Sequence, residues 1–460
     1  MGRLFGTDGI RGVVNDYPLT VEFAVRIGEA TGHRLKQERE RPAVVVGRDP
    51  RLSGQMLEHA LAAGLTCQGV DVRVAGVLPT PGIAHLARTT GADLGIMISA
   101  SHNPFHHNGI KLFDGDGYKI ADELAGEIEA LLLDGSGEFE PAPATGLGRS
   151  HDDGELRQRY VDHLVDRWAH RLSLEGLRLV VDCANGATSA VAPEVFGSLG
   201  ADLILVENEP DGVNINAHYE YIYPRRLSRQ VRDAGADAGI AFDGDGDRVM
   251  CVDEEGGFVD GDAILAILAR DMQARGKLEG QTVVGTPMSN WGLKACLEEV
   301  GVALEETQVG DRFVLQRMLE RGYVLGGEQS GHVLILHEGQ TTGDGLYTAL
   351  ALLDVVVRHP DRSLAALAGC FEPLPEFLMS VEVPAKPPLE ELPEIQEALT
   401  DLHARLGDDV DVNVRYSGTE EKLRLKIRAG KGHTPQSLEE AGRALMTTAT
   451  RVISGDTVST

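Results

Sequence analysis

Three aspartates at every second position, Asp243, Asp245 and Asp247, stand in the string Asp243-Gly244-Asp245-Gly246-Asp247-Arg248, directly after the apolar run Ala238 to Phe242. Carboxylates so spaced can converge on one hard cation only if the backbone curls tightly, and the intervening glycines permit the curl. An all-oxygen donor set favours Mg²⁺, Mn²⁺ or Ca²⁺ over zinc. An EF-hand calcium loop competes, since Glu254 falls at the twelfth position. Against it, the sixth position is Arg248 where the turn wants glycine, and the flanks are strand-like. A purely structural acidic turn also stays open.

Three further clusters could carry chemistry. The apolar run Asp93 to Ile98 ends abruptly at Ser99-Ala100-Ser101-His102-Asn103-Pro104, and Gly109 to Phe113 returns as a second apolar run interrupted only by Lys111. This predicts a strand, a tight polar loop and a second strand, holding the Ser101 hydroxyl out at the carboxyl end of a sheet beside His102 and within reach of Lys111. Such a serine can be a nucleophile, a phosphate carrier or a turn residue. Glu328-Gln329-Ser330-Gly331-His332 lies between Gly326-Gly327 and the apolar Val333 to Leu336. A carboxylate, a hydroxyl and an imidazole on a glycine-flanked turn can bind vicinal sugar hydroxyls, or form a plain turn. Arg415-Tyr416-Ser417-Gly418-Thr419-Glu420 offers a guanidinium, hydroxyls and exposed backbone to one phosphate, or a surface turn.

The elements that must position these residues alternate. Ala43 to Val46 is a β-branched run, Ser53 is a plausible N-cap for a helix over Gly54 to Cys67, and Val72 to Val74 is the next strand. This βαβ rhythm implies a mostly parallel sheet with its ligand-binding loops at the carboxyl ends of the strands. The glycine- and proline-rich stretch from Asp134 to Ser150 reads as a linker. A second unit follows with strands Leu177 to Val181 and Ala238 to Phe242. A third has helices Asp262 to Gln273, Asn290 to Val300 and Gly343 to Val357 between strands Thr282 to Val284 and Tyr323 to Leu325. Three such units suggest a repeat, with no self-similarity in the letters. The last ninety or so residues differ. Glu376 to Val383, helix Leu392 to Leu406, Val410 to Val414, Leu423 to Ile427 and helix Pro435 to Val452 read as a smaller antiparallel α+β unit. The fold class is therefore α/β: three consecutive mixed-sheet units and a smaller α+β one, four domains around a central cleft. They divide as 1–150, 151–253, 254–367 and 368–460.

The Ser101 string resembles the phosphoserine loop of the α-D-phosphohexomutases, where the second serine of S-A-S-H-N-P carries a phosphoryl group. The D-G-D-G-D-R string matches that family's metal loop completely, and Glu328 to His332 resembles its sugar-binding loop G-E-x-S-G-H. Arg415 to Glu420 resembles its carboxy-terminal phosphate loop, although the next residue is Glu421 where relatives often have Pro or Asn. Phe5 to Gly12 and Thr307-Gln308-Val309-Gly310-Asp311-Arg312 resemble two further family strings. Gln329 and the amino-terminal string point to the branch that acts on glucosamine phosphates. The resemblance departs at His218 to Pro224, where relatives have a small-residue turn.

The resemblance implies a phosphotransferase that interconverts glucosamine 6-phosphate and glucosamine 1-phosphate. Phosphorylated Ser101 would pass through a 1,6-bisphosphate intermediate, with glucosamine or glucose 1,6-bisphosphate as activator. Mg²⁺ would be held by Ser101, Asp243, Asp245 and Asp247, with Arg248 and Arg11 supplying charge near the transferring group. Lys111, as general base, and His102 would handle protons. Glu328, Ser330, His332, Thr307 and Gly310 would hold the sugar, and Arg415, Ser417, Gly418 and Thr419 the phosphate. Glucose or mannose phosphates are the alternative substrates within the family. A non-catalytic metal- and sugar-phosphate-binding protein is the alternative outside the class.

Bulk properties agree with a globular protein. At 460 residues the chain is too long for one core. A net charge of −28 argues against general nucleic-acid binding, which needs a basic face. Among the basic residues 34 are arginine and 9 lysine, which favours the side chain suited to bidentate phosphate recognition, though compositional bias explains this equally well. The five cysteines are scattered and never in a C-x-x-C pair, as expected of reduced thiols. No secretory signal, acylation motif or span-length apolar run is present, so a cytoplasmic protein with no membrane partner is expected, as a monomer or homodimer.

Overall fold

The computed structural model describes residues 4–6, 8–133, 139–218, 224–336, 339–417 and 421–454. The first sheet contains β1 (Ile10–Val13), β2 (Ala43–Arg48), β3 (Asp71–Val77), β4 (Leu94–Ile98), β5 (His107–Asp114) and β6 (Ser150–Asp152), in the order β1-β5-β4-β2-β3-β6. The second contains β7 (Arg178–Asp182), β8 (Asp202–Val206), β9 (Ala238–Phe242), β10 (Val249–Asp253) and β11 (Phe258–Val259), in the order β11-β10-β9-β7-β8. The third contains β12 (Thr282–Gly285), β13 (Ala303–Glu306), β14 (Leu325–Gly327) and β15 (Val333–Ile335), in the order β13-β12-β14-β15.

The repeat that the letters conceal is visible in this topology. In each sheet a first strand pairs parallel with the second and third, and the third turns back into an antiparallel fourth: β2-β3-β4-β5, β7-β8-β9-β10 and β12-β13-β14-β15. Each third-to-fourth connection leaves the carboxyl end of a parallel strand, the place where open α/β sheets bind ligands. Those connections carry the Ser101 loop, the Asp243–Arg248 loop and the Glu328–His332 loop. β4, β9 and β10 are buried at every residue, as covering both faces of a sheet requires, which is why they read as unbroken apolar runs.

The fourth sheet joins β16 (Glu376–Glu382), β17 (Val410–Tyr416) and β18 (Lys422–Ala429) in the antiparallel order β16-β18-β17. Along β18 the side chains alternate. Leu423, Leu425 and Ile427 enter a core with the helices Pro393–Leu406 and Pro435–Ser454, while Arg424, Lys426 and Arg428 take the other face. That second face meets the third unit, where Lys426 donates to the Met288 carbonyl and Arg428 to the Ser289 carbonyl at 3.2 Å.

Two expected boundaries move. β6 pairs with β3, so the first sheet continues through Asp152, and the division after 253 would cut the β10–β11 hairpin, which keeps the second sheet together to Val259. The helix Gly54–Cys67 forms where expected, but Ser53 does not cap it; its hydroxyl accepts a hydrogen bond from Asn108 at 2.9 Å instead. Among the described residues no helix is long and apolar enough to cross a membrane.

Candidate active site

Ser101 follows β4 with φ +52°, the left-handed region that a β-carbon disfavours, at a cost of order 1–3 kcal/mol. The surrounding loop is over-determined by Arg51, which is 1% exposed. The guanidinium Nε donates to Asp49 Oδ2 at 2.8 Å, Nη2 to the carbonyls of Ser101 at 2.9 Å and Asn103 at 2.8 Å, and Nη1 to those of His107 at 3.1 Å and Pro104. Asp49 also accepts from Ser99 Oγ at 2.5 Å, which in turn accepts the Ser101 N–H at 3.0 Å. From the second unit, Asn216 Nδ2 donates to the Ser101 carbonyl at 2.8 Å.

So held, Ser101 stands beyond the carboxyl end of β4 and is buried. It is 1% exposed, and its hydroxyl donates to Asp243 Oδ2 at 2.6 Å, with His102 Nδ1 at 3.3 Å. Gly244 permits this close docking of the two loops, because a β-carbon there would lie 2.7 Å from the Ser101 carbonyl oxygen.

Asp243, Asp245 and Asp247 are all buried, and one oxygen from each lies within 4.8 Å of the others. Asp245 Oδ2 accepts from Thr80 Oγ1 at 2.6 Å and from Lys111 Nζ at 2.8 Å, and Asp247 Oδ2 from Lys111 Nζ at 3.3 Å. Asp245 Oδ1 and Asp247 Oδ1 have no hydrogen-bond partner among the described residues. Burial and the neighbouring Asp247 and Asp245 carboxylates push Asp243 well above its ordinary value. Buried, mutually repelling carboxylate oxygens without donors call for a cation. The donor set is wholly oxygen, so these residues fit a hard divalent ion. The EF-hand alternative fails, because the flanks are β9 and β10 and Glu254 turns away to accept the Ala365 N–H at 3.2 Å.

Cations from the first unit face this triad. Burial alone would push the Lys111 ammonium down, but Asp245, Asp8 and Asp247 outweigh it and hold Lys111 well above its ordinary value. The Lys111 ammonium thus balances the carboxylates of Asp8, Asp245 and Asp247. His102 is neutral, because burial together with Arg248 and Arg11 pushes it down to about 3. Arg11 pairs with Asp8, and Arg248 lies with Nε 3.8 Å from Asp247 Oδ1 and its N–H 3.2 Å from Asp243 Oδ1.

The third unit closes the site. Lys119 bridges Asp8 of the first unit to Asp311 of the third, which carries it up to about 12 despite its burial. His332 is 3% exposed, with Nδ1 3.8 Å from Asp247 Oδ1 and Nε2 3.4 Å from Asp311 Oδ2. It therefore lies between the metal loop and Asp311 of the third unit. Glu328 Oε1 accepts the Gly310 N–H at 3.2 Å, Ser330 Oγ lies 3.3 Å from Glu328 Oε2, and Thr307 Oγ1 donates to the Gln308 carbonyl at 3.0 Å.

Arg415 is directly opposite Arg424 in the β17–β18 register, and burial and then Arg424 lower it against a partial offset from Glu328. Two guanidiniums so paired are donors that could hold an anion. Ser417 is buried beside them, its carbonyl accepting from Lys386 Nζ at 2.8 Å. Gly418 and Thr419 lie outside the described residues, as do Tyr219 to Tyr223 of the atypical segment.

Asp8, Arg51, Lys119 and Arg424 had no signal as isolated letters. Asp8 and Lys119 are 111 positions apart, and only the fold brings them together.

Four family profiles match in chain order: phosphoglucomutase/phosphomannomutase alpha/beta/alpha domain I over residues 2–137, domain II over 158–257, domain III over 260–374 and the C-terminal domain over 378–432. Phosphoglucosamine mutase of Desulfovibrio desulfuricans is 46% identical over 92% of this chain and 94% of its own. That of Myxococcus xanthus is 47% identical over 92% of each. Among solved structures, a phosphoglucomutase/phosphomannomutase family protein from Burkholderia thailandensis is similar over 98% of each chain, with a TM-score of 0.79 and 26% identity.

Proposed function

The chain belongs to the phosphoglucomutase/phosphomannomutase family, and on that premise we infer that it interconverts glucosamine 6-phosphate and glucosamine 1-phosphate. The observation that carries the reading is the buried Ser101 hydroxyl, 2.6 Å from the first carboxylate of the Asp243–Asp247 triad. A serine needs no such acidic cluster to make a turn; a phosphoserine needs a cation, and the cluster would hold one.

In the first half-reaction the phosphoryl group on Ser101 Oγ transfers to the C1 hydroxyl of glucosamine 6-phosphate. The Oγ–P bond breaks, a C1–O–P bond forms, and the proton leaving the sugar hydroxyl ends on Ser101 Oγ. The resulting 1,6-bisphosphate reverses end for end. Ser101 Oγ then attacks the phosphorus at C6, and glucosamine 1-phosphate leaves with a free C6 hydroxyl. Such transfers depend on in-line placement and charge neutralisation. Bound Mg²⁺, held by Asp243, Asp245, Asp247 and the phosphoserine, would supply part of that neutralisation. Arg11, Lys111 and Arg248 add positive charge around Ser101, and Lys111 and, at 3.3 Å from the Ser101 hydroxyl, His102 are the candidates for handling the proton. Glu328 and Ser330 grip sugar hydroxyls, and Arg415 with Arg424 holds the phosphate that is not reacting. Glucosamine or glucose 1,6-bisphosphate would restore enzyme that has lost its phosphoryl group.

Two measurements test this. Intact mass should show one added phosphoryl group, about 80 Da, on part of the purified protein, absent from Ser101→Ala. A coupled assay should favour glucosamine 6-phosphate over glucose 1-phosphate and mannose 1-phosphate; a preference for either of the latter overturns the assignment.

A further inference from the structure

Between Glu328 and Ser330, the middle residue of the sugar loop faces the other way. Gln329 Oε1 accepts from Lys426 Nζ at 3.0 Å, and its Nε2 donates to Glu376 Oε1 at 3.1 Å and to Asp260 Oδ2 at 3.4 Å. The amide is fully used by protein groups. Lys426 lies on β18 and Glu376 on β16, so both partners belong to the carboxy-terminal sheet.

The Lys426 ammonium, 2% exposed, also pairs with Glu376 Oε2 at 3.0 Å, an oxygen that accepts from Asn290 Nδ2 at 2.9 Å. A closed ring of polar groups, the ammonium buried and the amide and carboxylate half-buried, therefore crosses the junction between the third and fourth units. Such a ring is rigid when every member is satisfied and costly when one is lost.

The same strand carries the phosphate site. Arg424, two residues before Lys426 and so on the same face of β18, is the cross-strand partner of Arg415. Displacing β18 moves Arg424 and Lys426 together, and through Lys426 it displaces Gln329 and the loop that bears Glu328 and Ser330.

We propose that Gln329 is a positioning residue that ties the sugar loop to the carboxy-terminal sheet through Lys426 and Glu376, so that the sugar-hydroxyl grip and the phosphate grip move as one body. This rests on the function proposed above. A bisphosphate has a fixed span between its phosphates and must be held in two opposite orientations. Grips that keep a constant separation serve both orientations, whereas grips that drift apart serve neither.

The test is a double-mutant cycle in the Kd for glucose 1,6-bisphosphate, measured by calorimetry and so independent of turnover. With Gln329 intact, Glu328→Ala and Arg415→Ala should be coupled: the double variant should bind about fivefold or more tighter than the product of the single losses predicts. In a Gln329→Met background, which keeps length and removes the amide, the losses should multiply. Gln329→Met alone should weaken binding about tenfold, for bisphosphates of glucosamine and glucose alike. Unchanged coupling in that background overturns the proposal. So does a change in preference between glucosamine and glucose with coupling retained, which would make Gln329 a reader of the sugar. Should Gln329→Met fail to fold, Gln329→Asn, one methylene too short to reach Lys426, is measured the same way. If the unaltered protein binds bisphosphate but does not turn over glucosamine 6-phosphate, the substrate assignment fails while the cycle still decides the role of Gln329.

Discussion

Replacing Arg51 by lysine should disable phosphoryl transfer while leaving the chain folded. The Arg51 guanidinium satisfies five acceptors, Asp49 Oδ2 and the carbonyls of Ser101, Asn103, Pro104 and His107, from a position 1% exposed. A lysine ammonium carries three protons on one atom, so at least two of the five lose their donor. An unsatisfied buried acceptor costs about 1–3 kcal/mol, which sets about 2–6 kcal/mol against the native loop. Ser101 already sits at φ +52°. The loop therefore relaxes, and the Ser101 hydroxyl leaves Asp243. If about 3 kcal/mol of that loss is felt in the transition state, transfer slows about a hundredfold. Single-turnover transfer from phosphorylated enzyme to glucosamine 6-phosphate measures it, with phosphoryl occupancy fixed by intact mass. Thermal unfolding should shift by only a few degrees, because the strained segment is local. Wild-type single-turnover rates in Arg51→Lys would refute the reasoning, since the loop would then hold its geometry without the fork of donors.

Chelation should silence turnover, and Mg²⁺ should restore it better than Ca²⁺, since a larger, looser ion positions phosphoryl oxygens poorly; full activity in chelator would count against the carboxylate triad as ligands. Arg415→Ala should lower catalytic efficiency by about one to two orders of magnitude, the loss of a charge-assisted bond of roughly 1.5–3 kcal/mol, and equally in both half-reactions measured by single turnover. A loss confined to one half-reaction would show that Arg415 grips a single orientation. Stability should fall in mild acid. His85 and His163 stack with ring centroids 3.9 Å apart between the helices Thr80–Thr89 and Glu155–Ala169. Burial, then His163 and Arg88, push His85 down to about 3, and burial, then Arg88 and Arg167, push His163 down to about 4. Both folded values lie below the unfolded value of about 6.5, so the stabilisation present above that pH is lost as pH falls toward 4. Thermal unfolding of His163→Gln across this range should show a flatter pH dependence than the parent chain, and an identical slope would dismiss the pair as its source.

Local chemistry was legible in the letters. The Asp-Gly-Asp-Gly-Asp turn follows from short-range sterics after an apolar strand, and β9 spans Ala238–Phe242 as the run predicts. The helix Gly54–Cys67 likewise has the bounds read from the sequence. The order of the four sheets followed from the succession of periodicities, because a strand or helix announces itself within a few residues of its own sequence.

What the letters could not carry are the relations between distant residues. That the serine, metal and sugar loops occupy the same connection of a repeated four-strand pattern is a fact of strand pairing, and pairing partners are set by packing. Arg51 reads as one arginine among 34 until the fold folds a loop around it. Ser53 looks like a cap, yet Asn108, 55 positions on, claims its hydroxyl. The charge surroundings of Lys111 were hidden for the same reason: a pKa is set by burial and by the charges the tertiary structure brings near, and Lys111 meets carboxylates from Asp8, Asp245 and Asp247 that are as far as 136 residues away.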